Sequence, residues 1–356
     1  MNYRLLSMRQ KTKKNNSPWV RRIAVIAACL LAGALVLGGY LLMGPNTRSF
    51  GDKKYFYIPT GSKYEDVLQG LKDQEIVTSP ATFNIVARQL DYPNRVKAGR
   101  YEIKKGMGNL EIVRILRSGR QSPVKLVINK LRLKEDLVRL VSTQLEADST
   151  AFRAIMDDGV YLRQFGLDTQ TVMCAVMPNT YEFYWNTTAG KVFEKLEESY
   201  ARFWTDERKA KASALGLSPT EVITLASIVE EETNRHDEKP SIASVYLNRL
   251  KKGMKLGADP TVKYALKNFA LKRIWGSYLE FDSPYNTYRY AGLPPGPICT
   301  PSVKSIEAVL EPADTEYLYF CAKADGSGYH AFAATFKEHL ENARTYQKEL
   351  NARGIK

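Results

Sequence analysis

Twenty-one consecutive residues, Ile23 to Met43, carry no charged side chain. As a helix the run is about 31 Å long, the thickness of a bilayer's hydrocarbon interior, so it is expected to cross a membrane rather than to fill a protein core. Arg4, Arg9, Lys11, Lys13, Lys14, Arg21 and Arg22 precede it without one acidic residue. That bias keeps the N-terminus cytoplasmic and places everything after Met43 on the far side. A cleaved signal peptide is the alternative, but the run is longer than the apolar segment of such peptides and no small-x-small site clearly closes it. The organisation follows: a basic tail over 1–22, a membrane helix over 23–43, and an exported remainder.

The formal net charge of +14 is half explained by those seven tail cations, which leaves about +7 on the exported part. A modest positive excess there suits an anionic polymer or a membrane surface, and no nucleic-acid motif accompanies it. Cys29 lies in the span, and Cys174, Cys299 and Cys321 form no C-x-x-C pair, an odd set that argues against a disulfide framework. His236, His330 and His339 are scattered without ligand spacing, so no metal is expected. Glycine-rich phosphate loops are missing, and no cofactor is expected either.

Residues 50–129 read as a small α+β domain. Short β-type runs, Tyr55 to Pro59 and Tyr101 to Gly106, bracket two segments of helical spacing, EDVLQGLKDQEIV and ATFNIVARQL, and a further helix from Asn109 to Arg117 ends near Gly119. Residues 130–356 are long enough for a second, larger α+β domain with its own core.

Within that second domain, Ser218 to Arg235 reads as an amphipathic helix with a well-marked start. Ser218 caps it, Pro219 suits the first position, Glu221 completes a capping box, and Leu217 and Val222 form a hydrophobic staple. Val222, Leu225, Ala226 and Val229 make one apolar stripe, with Glu230 and Glu232 on its flanks and Glu231 opposite, on the expected solvent face. Glu232 also lies in the last turn, where the negative helix end and apolar neighbours both raise a carboxylate's pKa. Such an acid suits cleavage of a glycosidic bond, whose departing oxygen needs a proton. The plain alternative is a solvated, Glu-rich helix end with Glu232 paired to Arg235.

Three further segments carry recognisable patterns: ASVYLNRLKKGMKLGADPTVKYAL (Ala243 to Leu266), SPYNTYRYAGLPPGPICTPSVKSIEAVLEP (Ser283 to Pro312) and EYLYFCAKADGSGYHAF (Glu316 to Phe332). Together with ASIVEEET they resemble the MltG, or YceG-like, family of endolytic murein transglycosylases from the membrane span onward. The family's E-x-E helix end puts its catalytic glutamate on Glu232, with Glu230 as a second candidate that tunes Glu232 by like-charge repulsion or stabilises the cationic transition state. GRYEIKKGMGNLEIVRILRSG resembles the LysM-like region that precedes the family's catalytic part, and implies a domain that helps hold a glycan strand. Where the family shows E-G-x-x-x-P-D-T-Y, this chain has CAVMPNTYEF, so any charged role there is lost.

The resemblance implies a bacterial inner-membrane protein with a periplasmic catalytic domain that cuts between N-acetylmuramic acid and N-acetylglucosamine, and a link with glycan polymerases and penicillin-binding proteins. The supporting residues each have a structural alternative. Asp259, followed by Pro260, is first of all a helix N-cap, although it can line a cleft. Tyr285, Asn286, Thr287 and Tyr288 occupy a polar loop before Gly292 to Gly296 that either grips a sugar or braces itself. Thr300 and Pro301 start another helix, and Thr335 and Glu338 form a capping box beside His339. Tyr317 to Cys321 and Tyr329 to Ala333 read as a hairpin, on which His330 matches a family pattern yet is as a lone strand histidine more often structural. Two rivals stand beside the transglycosylase: a hydrolytic muramidase, which needs a second carboxylate to position water, and a non-catalytic membrane-tethered glycan-binding scaffold.

Overall fold

A computed structural model describes residues 18–271, 273–323 and 325–352. The tail cations Arg4, Arg9, Lys11, Lys13 and Lys14 lie outside the described residues, whereas Arg21 and Arg22 fall in the first turns of helix α1 (Pro18–Met43). Along α1 the large apolar side chains, among them Leu30, Leu31, Leu35 and Val36, are exposed, and among the described residues protein meets this helix only near its C-terminal end. It is long and apolar enough to cross a membrane.

The chain divides into two compact units, Met1–Ser122 and Pro123–Lys356, and both mix helix and strand. In the first, β1 (Lys53–Ile58), α2 (Tyr64–Asp73), α3 (Pro80–Gln89), β2 (Gly99–Lys104) and α4 (Asn109–Ser118) follow one another. The expected strand, helix, helix, strand order is present, with β1 and β2 antiparallel and Phe56 opposite Tyr101. Alternation sends Phe56, Ile58, Tyr101 and Ile103 inward onto Leu71, Phe83, Ile112 and Leu116. Gly119, at φ 74°, closes α4 in the left-handed conformation that glycine adopts without strain.

The boundary expected near residue 129 falls earlier. β3 (Val124–Ile128) pairs antiparallel with β4 (Asn179–Phe183), Leu126 opposite Tyr181, so it belongs to the second unit. Around this pair run α5 (Lys134–Gln144), α6 (Ser149–Asp157), α7 (Gly159–Arg163), α8 (Ala189–Phe203) and α9 (Asp206–Ala214). Then come α10 (Pro219–Glu232), α11 (Lys239–Lys251), α12 (Asp259–Ala265), α13 (Val303–Leu310), the antiparallel hairpin β5 (Tyr319–Ala322) and β6 (His330–Ala333), and α14 (Phe336–Ala352).

The centre of the second unit is α10. Its capping box forms as the sequence dictates, Ser218 Oγ accepting from Glu221 N (3.3 Å) and Glu221 accepting from Ser218 N (2.8 Å). The expected amphipathic stripe is corrected: every residue from Val222 to Val229 is buried, because α9, α11, α12 and α13 all pack on this helix. A helix apolar all round is a core helix, and its polar end projects into protein on every side.

Candidate active site

Burial of α10 from Val222 to Val229 means that the three glutamates at its end all meet protein, each on a different side. Glu231, expected to face solvent, instead takes a bidentate grip from Arg132 (3.1 and 2.9 Å) with Lys130 at 3.2 Å. Burial pushes its carboxyl up, but these cations outweigh burial and hold it below the ordinary range.

Glu230 turns toward the starts of α11 and α13. Lys239, 1% exposed, donates to its Oε2 at 2.8 Å, Ser302 Oγ at 2.6 Å and Ser302 N at 3.2 Å, and Ser305 Oγ donates to the same oxygen. Burial again raises the carboxyl, and the ammonium with two hydroxyls overcomes it, so Glu230 titrates lower than usual. Ser302 also caps α13, which begins two residues after the expected Thr300–Pro301 start. Thr300 accepts from Leu131 N (2.9 Å) and donates to Asn129 O (3.0 Å), tying β3's exit to this corner.

Among the described residues no ammonium bonds Glu232, and its one hydrogen-bond donor is the phenol of Tyr246 on α11, 2.6 Å from Oε1. Desolvation is the largest influence and pushes the carboxyl up to about 7; the Tyr246 bond pulls it down, the charge of Asp259 pushes it up again, and the charges of Lys263 and Arg249, which act only from a distance, pull it down. The like-charge neighbour that acts on Glu232 is thus Asp259, whereas Glu230 is neutralised on another face. Arg235 does not pair with Glu232: it donates to Ser327 O (2.5 Å) and lies over the Tyr329 ring at 4.8 Å.

Asp259 is not the cap of α12; Ala258 holds that position, and the Asp259 carboxylate accepts from Tyr288 OH at 2.6 Å. What holds Asp259 there is the loop it faces. Thr287, 2% exposed, accepts from Ala258 N (2.9 Å) and lies 2.9 Å from Thr261 Oγ1, while Gly257 N donates to Thr287 O (3.1 Å). Asn286, fully buried, spends both amide hydrogens on Leu279 O (3.0 Å) and Phe281 O (2.8 Å) and accepts from Tyr288 N (3.0 Å). Of the two roles left open for Asn286 and Thr287, these bonds are those of bracing. Tyr285 packs on Tyr264 (ring centroids 4.7 Å) and donates to Gln170 Oε1 (3.1 Å). Gly296 is obligatory here, because a Cβ would strike the Gln170 carbonyl.

The hairpin forms the remaining wall. Phe320 stands edge-on to Tyr246 at 5.9 Å and edge-on to His330 at 5.3 Å, so two rings link the histidine to Glu232. Buried Glu238 holds His330, accepting from its backbone N–H (2.7 Å) and lying 2.9 Å from Nδ1. Arg249 fixes the hairpin to the α12 approach by donating to Leu318 O (2.7 Å) and Leu256 O (2.5 Å). Glu338 accepts from Thr335 N (3.2 Å) at the start of α14, the expected capping arrangement. Cys174, Cys299 and Cys321 are free thiols.

The sequence profile of the YceG-like family matches residues 56–345, most of both units. The chain belongs to the YceG-like family. A Bacillus subtilis protein named endolytic murein transglycosylase is 29% identical over 90% of this chain and 92% of its own length. A Streptococcus pneumoniae protein of the same name is 26% identical over 86% of this chain, which spans 61% of that relative's length. A solved YceG-like protein from Listeria monocytogenes superposes with a TM-score of 0.53 at 29% identity, over 82% of this chain and 99% of its own.

In this YceG-like chain the fold brings Glu232, Asp259 and Tyr288 together and leaves Glu230 and His330 at one remove. Sequence reasoning missed Tyr246, Lys239, Ser305 and Arg132. Tyr246 sits in ASVYLNRL, where an aromatic on a buried helix face reads as core, and nothing local marks its hydroxyl as the partner of a carboxyl fourteen positions back.

Proposed function

We propose that this YceG-like chain is a membrane-anchored endolytic murein transglycosylase that cuts the glycan strand between N-acetylmuramic acid and N-acetylglucosamine and leaves 1,6-anhydro ends. The observation that carries the reading is the Glu232 carboxyl: desolvated, bonded by one phenol and pushed up to about 7, it is an acid still holding its proton near neutral pH. Glu232 gives that proton to the bridging oxygen as positive charge gathers at the muramic C1. As a carboxylate it then takes the proton of the sugar's own C6 hydroxyl, whose oxygen attacks C1 and closes the anhydro ring. Tyr246 occupies one carboxyl oxygen and leaves the other for substrate. Asp259 acts by charge, favouring the protonated acid and then the cationic sugar. The relatives named endolytic murein transglycosylase support a murein substrate and the reaction class.

The apolar helix α1 anchors the chain in the inner membrane, with its basic N-terminal flank in the cytoplasm and everything after Met43 in the periplasm. Held there, the enzyme meets newly made strands first, near glycan polymerases and penicillin-binding proteins. The small domain, LysM-like in element order, helps hold the strand. A muramidase is the second reading, favoured by the nearness of Asp259 as a carboxylate able to position water. Mass spectrometry of products from uncrosslinked glycan separates the two. Anhydro ends from wild type and none from Glu232→Gln are expected; reducing ends heavier by one water would replace the transglycosylase with the muramidase. Undiminished turnover by Glu232→Gln would remove both.

A further inference from the structure

Past Met43 no flexible tether separates α1 from the fold of the first unit. Gly44 N donates to Tyr40 O (2.7 Å), Pro45 bridges to Gly108, and Asn46, 5% exposed, donates to Ser79 O (3.1 Å) and to Asn109. Asn109, the first residue of α4, donates in turn to Leu41 O at 3.1 Å. A Cβ on Gly108 would strike the carbonyls of Met43 and Gly44, so the start of α4 lies directly against the last turn of α1. The face of α4 that does not enter the core is therefore fixed beside the end of the span.

That face is cationic. A groove of about 450 Å³ runs from Met43 past Leu110 to Arg114 and Arg120, and a neighbouring one shares Arg114 and adds Arg95, Lys97 and Arg117. Of these five cations Arg95 pairs with Asp91 (3.0 Å), and Lys97 donates to the Ser118 carbonyl (3.1 Å). Among the described residues Arg114, Arg117 and Arg120 have no ion-pair partner, and Glu111 is the one acid on either groove wall. Met43 and Leu110 add apolar lining, so the groove offers hydrocarbon contact beside its guanidinium groups.

We infer that this groove seats the phosphate of an anionic phospholipid, clamping the first unit onto the outer surface of the bilayer that α1 spans. Guanidinium forks suit phosphate oxygens, and unbalanced positive charge at the end of a span draws anionic headgroups. The apolar lining beside Met43 takes the start of the acyl chains. The clamp rests on the anchoring reading above and orients the unit, so strand capture occurs at a set height over the membrane.

The test is hydrogen exchange over residues 109–120 of the full chain in nanodiscs. Discs of phosphatidylcholine alone are compared with discs containing phosphatidylglycerol. Exchange slowed roughly threefold by phosphatidylglycerol is expected. The double variant Arg114→Gln/Arg120→Gln should lose that difference, and Arg114→Lys/Arg120→Lys should keep part of it. Both positions are exposed, and an unchanged melting temperature shows that the variants fold. Equal exchange of wild-type protein in the two lipids overturns the clamp while leaving anchoring intact; failure to enter the discs removes both. Protection in pure phosphatidylcholine discs by inorganic phosphate, or by soluble glycan strands, with none from phosphatidylglycerol, assigns the groove to that ligand and overturns the lipid clamp.

Discussion

The two flanks of the α10 terminus hold the same side chain two residues apart and drive it in opposite directions. Burial is the largest influence on both Glu230 and Glu232, and in both it favours the protonated form. Glu230 ends below its ordinary range because an ammonium, two hydroxyls and a backbone N–H converge on it; Glu232 ends near 7 because burial and the Asp259 charge outweigh one phenol and the more distant charges of Lys263 and Arg249. Burial alone therefore does not make an acid. The partners decide, and they divide one helix end into a locked ion pair that joins α10, α11 and α13 and a raised carboxyl held by a single phenol of α11.

The contrast breaks most visibly in turnover. Glu232→Gln is expected to lower kcat/KM roughly 10³-fold with the fold retained. Glu230→Gln should instead act through stability, and comparable catalytic loss in a fully folded Glu230→Gln would erase the distinction. Next in size, Lys239→Met strands the Glu230 charge and should cost about 3–5 kcal/mol by denaturant unfolding. A cost under about 1 kcal/mol would show that the pair is solvated.

The pH dependence of stability sharpens the same difference. Glu232 titrates higher folded (about 7) than unfolded (ordinarily 4.5), so the folded protein binds the extra proton between these values and loses stability as pH rises through that window. Glu232→Gln removes that loss. It should match wild type near pH 4 and exceed it above pH 7 by about 2 kcal/mol, a figure reduced for the partial exposure of the site. Thermal melts across the range check it, and a difference that shrinks toward high pH would contradict the raised pKa.

Smaller still are the tuning residues. Tyr246→Phe removes a bond that favours the carboxylate, so the alkaline limb of the rate profile should move up in pH; Asp259→Asn removes a repelling charge and should move it down. Ser218→Ala, at the far end of α10, should cost about 1 kcal/mol and leave the profile where it is.

How far the sequence could be read follows the range of each interaction. The α10 start, the end of α4 at Gly119, the two-strand, two-helix order of the first unit and the terminal hairpin are written in neighbouring residues and stand where spacing put them. The raised carboxyl of Glu232 was legible as well, because its place at the helix end among apolar residues is written in its own segment. What stayed hidden is long-range. Arg132 meets Glu231 across 99 positions and Ser302 meets Glu230 across 72, and no local pattern encodes either. Glu231 was misplaced because periodicity assumes one wet face, and α10 has none. Asp259 was read as a cap because Asp-Pro favours one, whereas Tyr288 claims its carboxylate from 29 positions away.

The most direct measurement is a carboxyl carbon NMR titration of the glutamates in the full chain, wild type against Glu232→Gln. One resonance with a midpoint near 7, absent from the variant, is expected, with the Glu230 signal titrating below the usual range. If the resonance lost in Glu232→Gln instead titrates between 4 and 5 like a free glutamate, Glu232 is ionised when it meets substrate and cannot be the proton donor.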